Sequence, residues 1–419
     1  MLAHSSSRIS RFASIFIACS ACGGSVASPP GSASSTDAAP WVAPGNPQVV
    51  DVGGPRILKP RVVALVDPTD RDSSAIAPFL GALGQSTYWS QVTGEYGIGP
   101  FASVTTVVLP APVAGDGSQA AIEALIAQQA GSYLARNPGA STSIDGRPFV
   151  VDTVFVLFTT SAQSCATSAA GHTSVTTPDG TEVAYAIVQR CPDPDAQLSP
   201  IDHALLLATH ELVDASTNPF PADAPAYAHV DDDHLAWTAT TDGSVVDTEV
   251  AHLCESGRIT ADIGGQSMTL ERVWSNAAAA AGHGRCAPGV AGTSPELLAV
   301  PVLTDHVPFD AARSTLGVTL AKGASTTIGV DLFSDHPTQG PWYVEAVDVA
   351  AKQGKAPELS LTLDASQGQN GDVLHLTVTR LRDPDPSRAA HGVVFELVAS
   401  PTSAFTTTHS TYGFVSDGM

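Results

Sequence analysis

The stretch LLLATHELVDASTNPF, residues 205–220, places a His-Glu pair and an Asp within an otherwise apolar segment. A Ser-Pro pair at 199–200 supplies an N-cap and a first-turn proline, and Asn-Pro at 218–219 supplies a stop, so we predict a helix. Because residues four apart share a helix face, the side chains of His210 and Asp214 can converge on one point. Ionisable groups are costly to bury unless they are paired or bound to a metal. The helix therefore predicts a functional or a structural polar centre.

The two sides of this helix differ in polarity. One stripe is apolar and should face the core, and its members are Ile201, Leu205, Ala208, Leu212 and Ala215. His203, His210 and Asp214 lie on the opposite side, with Glu211 on its flank. We therefore expect any catalytic or metal-binding residues of this helix to lie on its polar side.

The length and charge of the chain limit the classes of protein. With 419 residues it can form two domains with full-sized cores. Its net charge of −22 repels phosphate backbones, which argues against nucleic acid as a partner. After the leader, no segment reaches the roughly 20 apolar residues that a membrane-spanning helix needs. An integral membrane protein is not expected.

Residues 1–22 predict an export signal of the lipoprotein type. A basic start and a short apolar core lead to Cys22, which opens a Ser/Pro/Ala-rich run. We expect lipid on Cys22 and a flexible tether over residues 23–54. Cys19 is the alternative lipidated residue, and an ordinary cleaved secretory peptide is the alternative to lipidation. In each case the mature protein is extracytoplasmic, either lipid-anchored in the cell envelope or secreted.

Four cysteines remain after the leader, and an even count in an exported chain favours disulfides over a thiolate metal site. Three pairings are possible. We prefer the pairing of neighbours, Cys165 with Cys191 and Cys254 with Cys286, because it closes two modest loops. No Cys-x-x-Cys spacing occurs among these four, which argues against a zinc ribbon.

Residues 55–290 alternate strand and helix patterns, which indicates an α/β or α+β domain with a central sheet and the polar helix against it. Strands are predicted at 61–66, 104–109, 149–159 and 183–188, and helices at 73–83 and 119–134, besides the polar helix. The aromatic-rich residues 88–100 predict a packed turn, with a ligand-stacking surface as the alternative.

A Pro/Gly/Ser segment at 287–295 predicts a domain boundary, and residues 296–419 predict an all-β sandwich. Short alternating strands separated by turn residues are predicted at 315–320, 325–333, 342–349, 359–363, 373–381 and 392–398.

The first domain resembles the phosphate-induced, exordium-like proteins of plants. Residues 208–220, with their Thr-Asn-Pro-Phe ending, resemble the corresponding helix of that family. The aromatic stretch at 88–99, Gly171-His172, and Tyr185 before Cys191 fit the same family. The resemblance covers residues 55–290 and implies an extracellular protein, without an established reaction.

The chain is more similar to a group of predicted exported bacterial lipoproteins of unknown function. Their helix typically carries His-Glu-x-x-Glu, whereas this chain has Asp214 at the last position. It also has His252 where an Asp is usual. The plant members lack the His-Glu pair, so the fold does not require it.

The polar helix predicts a zinc site of the metallohydrolase type. His210 and Asp214 would be ligands and Glu211 the general base, since two ligands four apart beside a glutamate can bind zinc and activate its water. Glu249 would be the third ligand, with His252 as an alternative ligand or in a supporting role. The predicted function is then an exported zinc-dependent hydrolase acting on a peptide.

The alternative is a polar network in which the helix is purely structural. The protein would then be a non-catalytic cell-surface or wall-binding protein, with a cell-wall or matrix component as its partner. It would touch the membrane only through a lipid anchor. His172 is predicted to be a packed loop residue rather than a ligand.

Overall fold

We describe the fold from a computed structural model. It describes residues 46–113, 118–160, 165, 169–194, 196–240, 248–254, 257–281, 284–289, 296–334, 337–383, 390–405 and 408–417. The predicted signal at 1–22, with Cys19 and Cys22, and most of the predicted tether lie outside these residues. Within the last residues of that tether, Val49–Asp51 forms strand β1.

The first part of the chain is built around a mixed sheet of six strands. After β1, its strands are β2 Arg61–Val66, β3 Ser103–Val108, β4 Ser141–Ile144, β5 Arg147–Thr159, β6 Ala170–Thr176 and β7 Glu182–Gln189. The order is β3-β2-β5-β7-β6, and β4 pairs with β5. β2, β3, β5 and β7 run parallel, whereas β6 is an antiparallel edge strand beside β7. The sheet is therefore mainly parallel, as the alternating pattern predicts.

Helices cover both faces of this sheet. They are α1 Ile76–Leu83, α2 Thr87–Thr93, α3 Gln119–Leu134 and α4 Pro200–Thr217. α3 packs on one face, in a core that contains Ile126 and Phe155. α1, α2 and α4 share the core of the other face, which contains Val156 and Leu212. β2, β5 and β7 are thus largely buried on both sides, which explains their continuous apolar sequences, whereas the edge strand β3 stays partly exposed.

α4 is the most deeply buried helix of this layer. Its N-cap is Ser199, whose side chain accepts a hydrogen bond from the Asp202 amide, and Pro200 occupies the first turn. Its apolar stripe faces the sheet, with Leu212 fully buried. Its polar side is covered as well, because it packs against a hairpin that follows in the chain. The ionisable side chains of α4 are consequently enclosed.

That hairpin consists of β9 Arg258–Ile263 and β10 Gln266–Glu271 and follows β8 Tyr227–Val230, which pairs with β1. Gly264 and Gly265 turn the chain with φ of 64° and 85°, values that favour glycine and suit a tight hairpin. β11 Val273–Trp274, the short helix α5 Asn276–Ala280 and β12 Cys286–Ala287 complete this part. The hairpin is what delivers Glu271 to α4.

The last part of the described chain contains two sheets packed on one core. Its elements are β13 Leu297–Pro301, β14 Asp305–Pro308, β15 Ser314–Thr319, β16 Ser325–Ser334, β17 Trp342–Asp348, α6 Val349–Lys352, β18 Leu359–Leu363, β19 Gln367–Gly368, β20 Val373–Arg380, β21 Gly392–Ser400 and β22 His409–Ser416. The sheet orders are β13-β16-β20-β18 and β14-β15-β22-β21-β17-β19. Leu376 of one sheet and Phe395 of the other share the core, as in a sandwich.

A buried arginine joins the two parts. Arg285 lies over the rings of Trp237 and Trp274, at 4.7 and 5.5 Å from their centroids. It forms an ion pair with Glu296 at 2.9 Å and donates a hydrogen bond to the Ser410 carbonyl. The predicted boundary at 287–295 falls largely outside the described residues, so the division into two domains stays a prediction.

The mixed α/β character and the large share of β-sheet are confirmed. The prediction of a turn over the aromatic stretch 88–100 is wrong, because α2 and a 3₁₀ turn at Gly94–Tyr96 occupy it. Ser86 caps α2, and Tyr88, Trp89 and Val92 bury one helical face. Among the described residues, no helix combines the length and the apolar character needed to cross a membrane.

Two disulfides are present, Cys165–Cys191 and Cys254–Cys286, which is the neighbour pairing expected from the sequence. They join residues 26 and 32 apart. Such covalent links belong to oxidising compartments.

Replacing Cys254 and Cys286 together by Ser is expected to lower the free energy of unfolding by about 2–5 kcal/mol, because the unfolded chain regains the freedom of the open loop. Urea denaturation under non-reducing conditions measures the loss, and the Cys165/Cys191 double variant is the matched comparison. Unchanged unfolding midpoints in both variants would contradict the pairing.

Candidate metal centre

Seven ionisable side chains from four segments meet beside α4. They are His172 on β6, His210, Glu211 and Asp214 on α4, Glu249 and His252 in the segment 248–254, and Glu271 at the end of β10. The side chains of six are at most 9% exposed, and that of His252 is 33% exposed. The centre is therefore buried and approaches solvent at His252.

Asp214 lies at the middle of the cluster and has no exposed surface. Its Oδ1 accepts a hydrogen bond from the Ala251 amide at 2.9 Å. Its Oδ2 lies 3.0 Å from His252 Nδ1 and 3.4 Å from His210 Nε2. The carboxylate thus ties the segment 248–254 to α4.

His210 is held from behind by Glu271. Its Nδ1 donates a hydrogen bond to Glu271 Oε2 at 2.8 Å, since a carboxylate can only accept. This bond fixes the ring and directs Nε2 towards Asp214. The same arrangement orients ligating histidines in metal sites. The ring of His210 also packs edge-on against that of His252, with centroids 4.6 Å apart.

His172 lies between two glutamates on the other side of Asp214. Its Nδ1 is 3.4 Å from Glu211 Oε2, and its Nε2 is 3.2 Å from Glu249 Oε1. The carbonyl oxygen of Asn218 is 3.3 Å from the same Nε2. His172 is thus a buried member of the centre on strand β6, and the prediction of a packed loop residue is wrong.

Asn218 ends α4 and supports Glu249. Its side-chain amide donates to Glu249 Oε1, and its Oδ1 accepts from the Ala226 amide at 2.9 Å. The residue that signals the end of the helix in the sequence therefore also positions a carboxylate of the centre.

The carboxylates raise the pKa of all three histidines. Burial lowers the pKa of His210, but the hydrogen bond to Glu271 and the charges of Asp214 and Glu211 outweigh it and raise that pKa to about 9. Burial likewise opposes protonation of His252, yet Asp214 and Glu249 raise its pKa to about 10. For His172, Glu249 and Glu211 outweigh burial and raise the pKa well above its ordinary value. A metal ion would have to displace these protons.

Two ligand sets share Asp214. His210, Asp214 and His252 form one set, and His172, Asp214 and Glu249 form the other, with the donor atoms of each set within 4.8 Å of one another. From the sequence, Glu249 is predicted to be the third ligand, and His252 is predicted to be an alternative ligand or a supporting residue. The structure brings His252 to His210 and Asp214, and Glu249 to His172.

The remaining predicted residues also have defined positions. Glu211 lies in the centre, but its Oε2 accepts no hydrogen bond among the described residues and faces His172. His203 lies outside the centre and contacts the Cys191 carbonyl through Nδ1 at 3.0 Å. His172 and Glu271 are the members that the sequence prediction omits. The signal in the sequence that points to His172 is the fit of Gly171-His172 to the exordium-like family.

The donor set fits a divalent transition metal. Imidazole nitrogens and carboxylate oxygens are the usual ligands of zinc, and Glu271 supplies the outer contact that such ligands need. Among the described residues the buried Glu211 Oε2 accepts no hydrogen bond, and His172 Nδ1 faces it at 3.4 Å. His210, Asp214 and His252 are the residues that would hold one ion.

In the metal-free protein, the free energy of unfolding should fall as the pH rises from about 6.5 to 10. A histidine with a raised folded-state pKa stabilises fully below its ordinary value of 6.5, and the contribution is lost as the pH passes the folded values of about 9 and 10. Urea unfolding in the presence of a chelator measures this, and a His210→Gln variant should show a weaker dependence. Equal dependence in both proteins would contradict the assignment.

Comparison with known proteins places the chain in no family: no family model and no curated protein matches it. Solved structures of the S-layer protein SbsC match part of it. Its domains 4 and 5 match at 14% identity and a TM-score of 0.17, over 40% of this chain and 95% of that one. A structure of its domains 1–6 matches at 14% identity and a TM-score of 0.17, over 40% of this chain and 26% of that one. At these scores we draw no inference about function from SbsC.

Proposed function

We propose that this chain is a non-catalytic extracytoplasmic protein, of the cell surface or wall, in which the α4 centre is a structural metal site. The observation that carries the proposal is the buried set of His210, Asp214 and His252, with Glu271 behind His210. The ion, zinc by its donor set, would join α4 to the segment 248–254, and Glu271 of the hairpin would hold His210 in place. Its partner would be a component of the wall or matrix.

The compartment is supported by two independent features. The two disulfides need an oxidising environment to persist. Residues 1–22 carry the pattern of an export signal, with Cys22 placed for lipidation. Both features fit an extracytoplasmic protein, whether it is anchored by lipid or released.

A structural role is supported by the burial of the centre. Glu211 is 4% exposed and faces His172, so its carboxylate is directed at a neighbouring ring. Catalysis by a bound metal requires an open coordination position and access for substrate. Three protein ligands leave a fourth coordination position, but α4, β6 and β10 enclose the site except at His252, and this burial favours a structural ion.

Zinc hydrolysis is the second candidate function, and one observation favours it. Glu211 directly follows His210, and its Oε2 accepts no hydrogen bond among the described residues, as a free general base would require. His210 and Asp214 would then bind a catalytic zinc ion and a peptide would be the substrate.

The full-length protein should bind zinc, and His210→Gln should abolish binding at the set that contains His210. Glu271→Gln should keep that site but weaken it about 10–100-fold, because it removes the outer contact and not a ligand. Isothermal titration with zinc and elemental analysis measure both effects. His375→Gln and Glu345→Gln on the sandwich are the matched controls. A wild-type protein that takes up no zinc would overturn the proposed function.

Zinc-loaded wild-type protein should cleave no member of a general peptide library, and Glu211→Gln should behave identically. Mass spectrometry of the library after long incubation provides the measurement. Cleavage that is lost in Glu211→Gln while zinc stays bound would reverse the choice and establish the hydrolase, since that variant removes the base and keeps the ligands.

A further inference from the structure

The surroundings of His172 repeat those of His210. In each ring Nδ1 faces a glutamate that belongs to neither ligand set, Glu271 for His210 and Glu211 for His172. In each ring Nε2 points the other way, towards Asp214 for His210 and towards Glu249 for His172. A histidine that ligates a metal through one ring nitrogen commonly donates a hydrogen bond from the other nitrogen to a carboxylate, which fixes the orientation of the ring. Both histidines have this arrangement of neighbours.

We propose that the centre is binuclear, with Asp214 bridging one ion held with His210 and His252 and a second ion held with His172 and Glu249. The inference rests on the proposed function, since it adds a second ion to the same site. Both ligand sets contain Asp214, and the donor atoms within each set lie within 4.8 Å of one another. Carboxylates commonly bridge metal pairs about 3.5–4 Å apart.

The carboxylate of Asp214 has enough lone pairs to contact two metal ions. Each carboxylate oxygen has two lone pairs, and the Ala251 amide uses one lone pair of Oδ1. Oδ2 faces the first set, through His210 and His252. Among the described residues Oδ1 accepts only the Ala251 bond, which leaves its second lone pair for the second ion.

The charge of the centre also favours two cations. Glu211, Asp214, Glu249 and Glu271 bring four carboxylates into one buried volume, against three histidines. A histidine must be neutral to ligate a metal, and with all three histidines neutral a single divalent ion offsets two of the four negative charges and leaves two uncompensated. Buried charge of one sign is costly, and a second divalent cation offsets it.

Glu211 gains a role in this arrangement. Its Oε2 is buried, has no hydrogen-bond donor among the described residues and lies 3.4 Å from His172 Nδ1. With Nε2 of His172 on a metal, the ring proton is confined to Nδ1, which then donates to Glu211. Glu211 is thus a positioning residue for the second ion. The carbonyl of Asn218, 3.3 Å from His172 Nε2, is an additional oxygen donor beside that ion.

The ions belong to the first-row divalent metals. The second set mixes imidazole nitrogen with carboxylate oxygen, whereas calcium and magnesium prefer oxygen alone. Zinc is the probe of choice because it binds both donor types and adopts several coordination numbers.

The test is zinc stoichiometry of the disulfide-bonded full chain by elemental analysis and calorimetric titration. We expect two equivalents in the wild type and one each in His172→Gln and His252→Gln. Glu211→Gln should keep two equivalents, with the second bound about 10–100-fold more weakly. His375→Gln, an exposed histidine on β20, is the control, and circular dichroism checks the fold of each variant.

The number of zinc ions bound by the wild type separates a failure of this inference from a failure of the proposed function. If the wild-type protein binds no zinc, both the binuclear centre and the proposed structural metal site are overturned. One equivalent in the wild type overturns the binuclear centre alone. Two equivalents that persist in His172→Gln place the second ion elsewhere and also overturn it. Because the wild-type count needs no variant, a variant that fails to fold leaves the test intact.

Discussion

The buried carboxylate of Asp214 is the charge on which the arrangement around α4 depends. It has no exposed surface, and an isolated buried carboxylate is far too costly for a folded protein to keep ionised. The Ala251 amide, His252 and His210 surround it. Burial raises the pKa of Asp214, but these histidines outweigh it and keep that pKa below its ordinary value. The carboxylate is therefore ionised, and its neighbours must stay in place to keep it so.

The fold brings these neighbours together from distant parts of the chain. β6 is an edge strand whose pairing with β7 sets His172 beside the C-terminal half of α4. The β9–β10 hairpin carries Glu271 to His210. The Cys254–Cys286 disulfide lies two residues after His252 and anchors the segment that carries it. Removing His172 or Glu271 would take a charged partner away from this buried centre, so the centre and the elements that carry these residues depend on each other.

The sequence predicts the elements with strong local patterns. α3 and β18 have the predicted bounds, 119–134 and 359–363, and β5 begins two residues before its predicted start at 149, because strong apolar patterns and burial agree there. It also predicts that His210 and Asp214 converge, since a spacing of four on a helix fixes their geometry. β6 escapes prediction because Ala-Gly-His-Thr-Ser-Val-Thr has little apolar alternation and becomes a strand through its pairing with β7.

The partners of the helix could not be predicted in the same way. Glu271 is 61 residues from His210, at the end of a hairpin, and no local pattern marks it. The sequence predicts Glu249 as the partner of His210 and Asp214, whereas the structure places His252 there. The difference depends on side-chain directions in a segment with little regular structure, which no sequence pattern fixes. In α2 the helical spacing of Tyr88, Trp89 and Val92 is readable, but the glycines and aromatic side chains around it favour a turn. Tertiary packing decides each of these cases.

The most direct measurement is anomalous diffraction at the zinc absorption edge from crystals of the zinc-treated full-length protein. We expect a peak between His210 Nε2, Asp214 Oδ2 and His252 Nδ1, with Glu271 still bonded to His210 Nδ1. A map without any peak there, with the histidines bonded directly to the carboxylates, would contradict a metal centre. The seven side chains would then be a metal-free polar network.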